Sequence, residues 1–231
     1  MPESTARRRF QRARSDAEKA ERREAILTAA DALLRSTGFE GFSMSLLARK
    51  AGVAKGTLYL YFETREQVLL ALYVEALDAW GRTLLAGLGE GMGDEAFVTL
   101  FQSAAAEDPN FLTLRARLES VIEHNVSRES LIEAKRAMRS LIGDVAPRVE
   151  ATLALPAGAG QRLLVALGAL HLGTEHSRLG PAVTGLALPD DVSAFVQAHR
   201  DTDLFREVAP MVVAGFRRPG ATRDADGPSR G

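Results

Sequence analysis

The sequence predicts an all-α protein, and three observations carry that expectation. Apolar residues recur at i, i+3, i+4 and i+7 along most of the chain, nothing alternates with period two over a useful length, and good N-cap residues stand ahead of successive periodic segments. The 231 residues are 46% hydrophobic and 26% charged, a balance that suits a folded globular chain and excludes intrinsic disorder. No uncharged run of ~18 apolar residues is present to span a bilayer, so membrane partners are not expected. The absence of cysteine excludes a disulfide framework, a thiolate metal site and a Cys nucleophile. The basic N-terminus is not followed by an apolar stretch, so no export signal is read and the expected location is cytoplasmic.

Taken in order, residues 1–15 are basic and lack apolar periodicity, which reads as a flexible arm. Ser15 or Asp16 can cap a helix whose stripe is Ile26, Ala29, Ala30, Leu33 and Leu34. Gly38 ends it as a left-handed residue, with Phe39 folding back on the stripe. Ser43 caps a second, short helix, with Phe42 and Leu47 placed as a hydrophobic staple. Gly52 allows the positive φ of a tight turn, a third segment follows, and Thr64 caps a long helix from residue 65 to about 85. Three helices on such short connections have the helix-turn-helix layout.

Beyond residue 85 the pattern stays helical. Residues 87–94 form a Gly-rich loop, Asp94 caps the next helix, and Asp108-Pro109 starts another that runs to about residue 124. Ser127 caps a helix that Pro147 should kink or break. A strongly apolar helix spans residues 162–179, a loop of about a dozen residues follows, and two helices lie near residues 191–199 and 203–216. Residues 219–231, rich in Gly, Pro, Arg and Asp, read as a disordered tail.

Charge is sorted along this chain. Residues 1–65 hold 13 Lys and Arg against 8 Asp and Glu, a local +5, while the remainder carries −6, so the whole-chain value of −1 conceals a basic head and an acidic body. Within the head, Leu47, Ala48, Val53, Leu58 and Phe62 would pin two helices together. Lys55, Gly56, Thr57, Tyr59 and Tyr61 fall in or near the exposed N-terminal part of the second, the part of a recognition helix that meets base edges. Leu58 and Phe62 also serve as plain core, and Ser43 caps its helix with or without DNA.

The run SMSLLARKAGVAKGTLYLYFETREQV resembles the DNA-binding segment of the TetR family of bacterial transcription regulators. The matching positions are Ser43, Leu47-Ala48, Ala51-Gly52-Val53, Gly56-Thr57-Leu58-Tyr59, Tyr61-Phe62 and Arg65. The resemblance covers residues 20–72 and implies phosphate contacts from Ser43, Thr57, Tyr61 and Arg65, and base-proximal positions at Lys55, Gly56 and Tyr59. Ser45 matches a position where some members carry an Arg that reads guanine, so its shorter side chain shifts base readout toward Lys55 and Tyr59. Usual members have Lys where this chain has Arg65. The Arg-rich arm would add phosphate or minor-groove contacts and a steep salt dependence.

By the same resemblance residues 16–64 are a DNA-binding domain, and residues 65–218 a helical domain that binds a ligand and dimerises. A single helix-turn-helix reads one half-site, so a palindromic operator on double-stranded DNA requires a homodimer. The apolar helix, with Gly168, Ala169 and Gly173, and the last helix, with Leu204, Val208, Met211, Val212 and Phe216, are the candidate interface. An unidentified small-molecule effector would occupy a cavity of ~300–1,000 Å³ drawn from Trp80, Phe97, Phe101, Phe111, Leu118, Ile122, His124 and His171. Arg115 and Glu119, at i and i+4, read as a surface pair. His171 and Glu175 share a helix face but His176 is rotated about 100° from Glu175, so no metal site is expected.

No H-E-x-x-H, no G-x-S-x-G and no phosphate-cradling Gly-rich loop is present, and no enzyme activity or cofactor is expected. The expected function is a repressor released from its operator by the effector, which would tilt the long helix and change the separation of the recognition helices. The rival is a helical protein that sequesters a small ligand without binding DNA.

Overall fold

The computed structural model describes residues 3–178, 187–201 and 203–217. Among them are ten α-helices and no strand: α1 (Glu3–Gly41), α2 (Met44–Lys50), α3 (Lys55–Tyr59), α4 (Arg65–Gly87), α5 (Asp94–Ala106), α6 (Phe111–Arg117), α7 (Arg128–Leu153), α8 (Ala159–Arg178), α9 (Asp190–Asp201) and α10 (Leu204–Arg217). A π turn (Leu118–Ile122) and a 3-10 turn (Glu123–Asn125) join α6 to α7. The chain forms two compact units, Met1–Trp80 with Ala105–Ser140 and Gly81–Ala104 with Leu141–Gly231.

In the first unit α1 packs on α2 and α2 on α3. Their core is Ile26, Ala30, Leu34, Phe42, Leu47, Ala48, Leu58 and Phe62, all buried. The stripe read from the sequence is therefore the one that folds inward. Gly38 takes φ 68 and ψ 177, a combination essentially closed to residues with a Cβ, and breaks the helix where the sequence places its end. The Ser43 hydroxyl accepts from the Leu46 amide at 3.3 Å, and the Thr64 hydroxyl accepts from the Gln67 amide at 3.0 Å, so both caps form.

Three expectations need correction. The first helix does not begin at Asp16: its backbone is helical from Glu3, because the stretch contains neither Gly nor Pro and is rich in Arg, a strong helix former, with two Ala among them. The helix expected from Asp108-Pro109 to about residue 124 starts at Phe111, since the Asp108 carboxylate accepts the Asn110 amide at 2.9 Å and holds Pro109 in a turn. It ends at Arg117, where the π turn begins. Pro147 lies inside α7 and does not end it. A proline there costs about 3 kcal/mol, but Val145 and Val149 flank it fully buried, and each contributes roughly 1.5–3 kcal/mol by leaving water.

In the second unit α10 packs on α8. Phe101 stacks on Phe205 at 5.9 Å and His171 lies 4.6 Å from the same ring. Arg217 forms a two-pronged pair with Asp94 and donates to the Leu153 carbonyl at 3.0 Å, tying the end of α10 to the start of α5 and the end of α7. The tail at residues 219–231 lies outside the described residues.

Candidate nucleic-acid interface

The turn between α2 and α3 is built by Gly52, at φ 66, with the Val53 amide donating to the Ala48 carbonyl at 3.0 Å. That geometry hands the chain to α3, whose orientation is then fixed by the fully buried Leu58 and by Phe62. Arg23 of α1 lies over the Phe62 ring at 5.1 Å and closes this small core from the other side.

With α3 so anchored, Ser45, Lys55, Gly56 and Tyr59 are exposed, while Ser43, Thr57, Tyr61 and Arg65 are half-buried. The Ser43 oxygen is taken by the Leu46 amide, which leaves its O–H to donate to a phosphate. Leu60, directly after α3, is 77% exposed, the most open large apolar side chain among the described residues. Sequence reasoning missed it because it falls between two matched positions and carries no charge.

Arg65 has a second task that its sequence position does not reveal. Its guanidinium stacks on the Phe39 ring at 4.6 Å, donates to the Phe39 carbonyl and meets Glu66 at 3.5 Å. It thus fastens the start of α4 to the end of α1. Arg117 of α6 also lies 4.6 Å from the Phe39 ring and reaches Glu40 at 3.7 Å. Further bonds tie the same helices to the stretch from the start of α6 to the start of α7: Thr64 donates to the Asn125 carbonyl at 3.1 Å, Gln67 to Ser130 at 2.8 Å and Asn110 to Asp31 at 2.8 Å.

The residues expected to line an effector cavity fall into two groups. In the first unit Trp80 and Tyr73 stack on Phe111 at 6.3 and 5.9 Å, with Leu118 and Ile122 also buried. In the second, Phe97, Phe101 and His171 belong to the cluster around Phe205. His124 is exposed on the 3-10 turn and joins neither.

Arg115 is not a surface partner of Glu119. Residues from Leu118 on enter the π turn, which moves Glu119 out of register, and Arg115 instead donates to the Tyr73 hydroxyl at 3.2 Å with its Nε buried and without a hydrogen bond. No group of three His, Asp or Glu side chains among the described residues is placed to hold a metal.

A cleft of about 590 Å³ opens between α1, α4 and α7, lined by Lys19, Arg23, Tyr61, Leu70, Val74, Glu75, Ser130 and Ala134 among others. Loss of water around Glu75 pushes its carboxyl above the usual range, an effect Arg23 opposes and Glu24 and Asp31 reinforce. None of these residues was legible as pocket lining, since three distant segments supply them. Among the described residues no helix is long and apolar enough to cross a membrane.

Comparison with known proteins agrees with this geometry. Residues 26–72 match the model of bacterial regulatory proteins of the tetR family, and residues 74–215 match that of the tetracyclin repressor-like C-terminal domain. The chain is 42% identical over 71 residues to the HTH-type transcriptional repressor KstR of Rhodococcus jostii, covering 29% of this chain and 33% of that protein. It is 38% identical over 52 residues to the fatty acid metabolism regulator protein of Bacillus subtilis, covering 22% and 27%. The matched stretch thus spans about a quarter to a third of these relatives. The crystal structure of the multidrug binding protein EbrR, complexed with imidazole, shares the fold with a TM-score of 0.54 at 18% identity, over 88% of this chain and 98% of that one. With a helix-turn-helix model over its head and a C-terminal model over more than half its length, the chain belongs to the tetR family of bacterial regulatory proteins.

Proposed function

We propose that this protein is a cytoplasmic, homodimeric transcription regulator that represses by binding a palindromic operator on double-stranded DNA and is released by a small-molecule effector. The observation that carries this reading is α3: a helix locked by Leu58 and Phe62 that turns Lys55, Gly56 and Tyr59 outward within a basic head. Residues 16–64 act as the reading head, with the basic residues 1–15 ahead of them, and residues 65–218 as the sensing and dimerising body; the two family models abut near residue 73, within α4. Ser43, Thr57, Tyr61 and Arg65 hold the backbone around base contacts from Lys55 and Tyr59, with Ser45 at a position near the bases.

Dimerisation is assigned to α8 and α10, because Val165 is 60% and Met211 73% exposed on two helices that pack together, with Ala169 and Gly173 open for close approach. The effector is assigned to the group of Trp80, Phe111, Leu118 and Ile122, where Arg115 offers a polar anchor in an apolar site. An effector that moved α6 would move Arg117 against Phe39, and so disturb the Arg65 contact that fixes α4 beneath the reading head. The two ligands then compete for two states, with a coupling of ~1–3 kcal/mol typical of such switches.

Selection of bound sequences from random duplex DNA with the purified full chain tests the proposal. A regulator enriches a two-fold-symmetric motif and elutes from heparin at a sharp salt step; a ligand-sequestering protein enriches nothing, and that result would sink the assignment.

A further inference from the structure

The outward face of α3 carries an open glycine, Gly56, and is followed by the largely exposed Leu60. Gly56 sits inside the five-residue helix, is absent from the positive-φ glycines, and a Cβ built on it would meet nothing within 4 Å. Internal glycine is less favourable than alanine in a helix, so its use here answers to a surface that approaches from outside. One turn later stands Leu60, whose backbone at φ −74 and ψ −16 keeps helical register. At about 100° per residue Leu60 projects opposite the mean direction of Leu58 and Phe62, and Gly56 lies within about 40° of it. The outer face of α3 is therefore bare backbone followed by a leucine, flanked by Lys55 and Tyr59 on one side and Thr57 and Tyr61 on the other, where Leu60 also borders the clefts beside α1.

We propose that Leu60 is a specificity-determining residue that reads the C5-methyl group of a thymine in the major groove. This rests on the reading of the protein as a DNA-binding regulator. An exposed leucine has no hydrogen bond to offer a base edge, and the C5-methyl of thymine is the apolar group that the major groove presents. Gly56 lets the helix approach closely enough for a side chain of this length to reach the groove floor.

The experiment uses the full chain and the duplex recovered by selection. Each thymine is replaced in turn by deoxyuridine, which removes the methyl and leaves base pairing intact, and wild type is compared with Leu60→Ala. The expected result is that one symmetry-related pair of thymines matters. Wild type loses about fourfold in affinity for each half-site, the worth of one methyl leaving water, and Leu60→Ala binds the thymine and deoxyuridine duplexes equally. Because Leu60 is exposed, the variant keeps its helical spectrum and melting temperature. Wild type indifferent to every replacement, or Leu60→Ala retaining the preference, overturns the inference while leaving the regulator reading intact. Failure of wild type to enrich any duplex overturns both.

Discussion

Several of the described helices expose large apolar side chains, and two such places do so in different settings. At α3, Tyr59 and the capping Leu60 stand beside Lys55 and a glycine, within a head of local charge +5. On α8 and α10, Val165 and Met211 stand among small residues, in a body of charge −6. A polyanion is met by cations that neutralise phosphate and by a few protruding side chains that reach bases. A second protein copy is met by close-packed apolar faces with little charge at the centre. Exposed hydrophobic area alone does not identify a partner; the charge and backbone around it do.

The strongest way to break this comparison is to put charge into the body. If α8 and α10 form the proposed dimer interface, Met211→Glu should give a monomer in sedimentation and weaken operator binding by roughly a hundredfold or more, because like charges would meet across the proposed interface at a cost of several kcal/mol. A variant that remained dimeric with full affinity would move the interface elsewhere.

A smaller effect separates fold from contact within the head. Arg65→Ala removes both the stack on Phe39 and a charged hydrogen bond to its carbonyl, and should lower unfolding stability by about 2 kcal/mol in urea titration. Arg65→Lys keeps the charge for phosphate but not the planar stack, so it should retain the salt slope of DNA binding while sharing much of the stability loss. Equal stability of all three proteins would return Arg65 to a purely DNA-facing role.

The smallest effect is electrostatic. Folding raises the Glu75 carboxyl above its ordinary 4.5, so the ionised form at neutral pH is a burden on the folded state. Glu75→Gln should be slightly more stable than wild type near pH 7, with the gap closing as pH falls below 4.5, where the carboxyl is protonated folded and unfolded alike. A gap that widened on acidification would contradict this sign.

What could be read from the sequence was local. Gly38, Gly52, Ser43 and Thr64 each answer to a short-range rule of turns or caps, and each does what the rule requires. What could not be read depends on contacts between distant segments. Arg65 looks like a phosphate contact and nothing more until Phe39, 26 residues away, is seen beneath it. Arg115 looks like half of a surface pair until a π turn displaces Glu119 and Tyr73 takes the guanidinium. The cleft beside Glu75 needs α1, α4 and α7 together, and no periodicity announces it. The start of α1 went astray for another reason: absence of apolar spacing argues against burial, not against helix, when the residues are strong helix formers.

The central claim, that the outer face of α3 exists to meet DNA, is tested most directly by Gly56→Ala, measured at once for stability and for operator affinity. Filling an open helical glycine should stabilise the fold by up to about 1 kcal/mol. The same methyl should weaken binding to the selected duplex at least tenfold, because it stands where the groove approaches. A variant that gained stability and kept full affinity would show that nothing approaches that face, and would contradict the account.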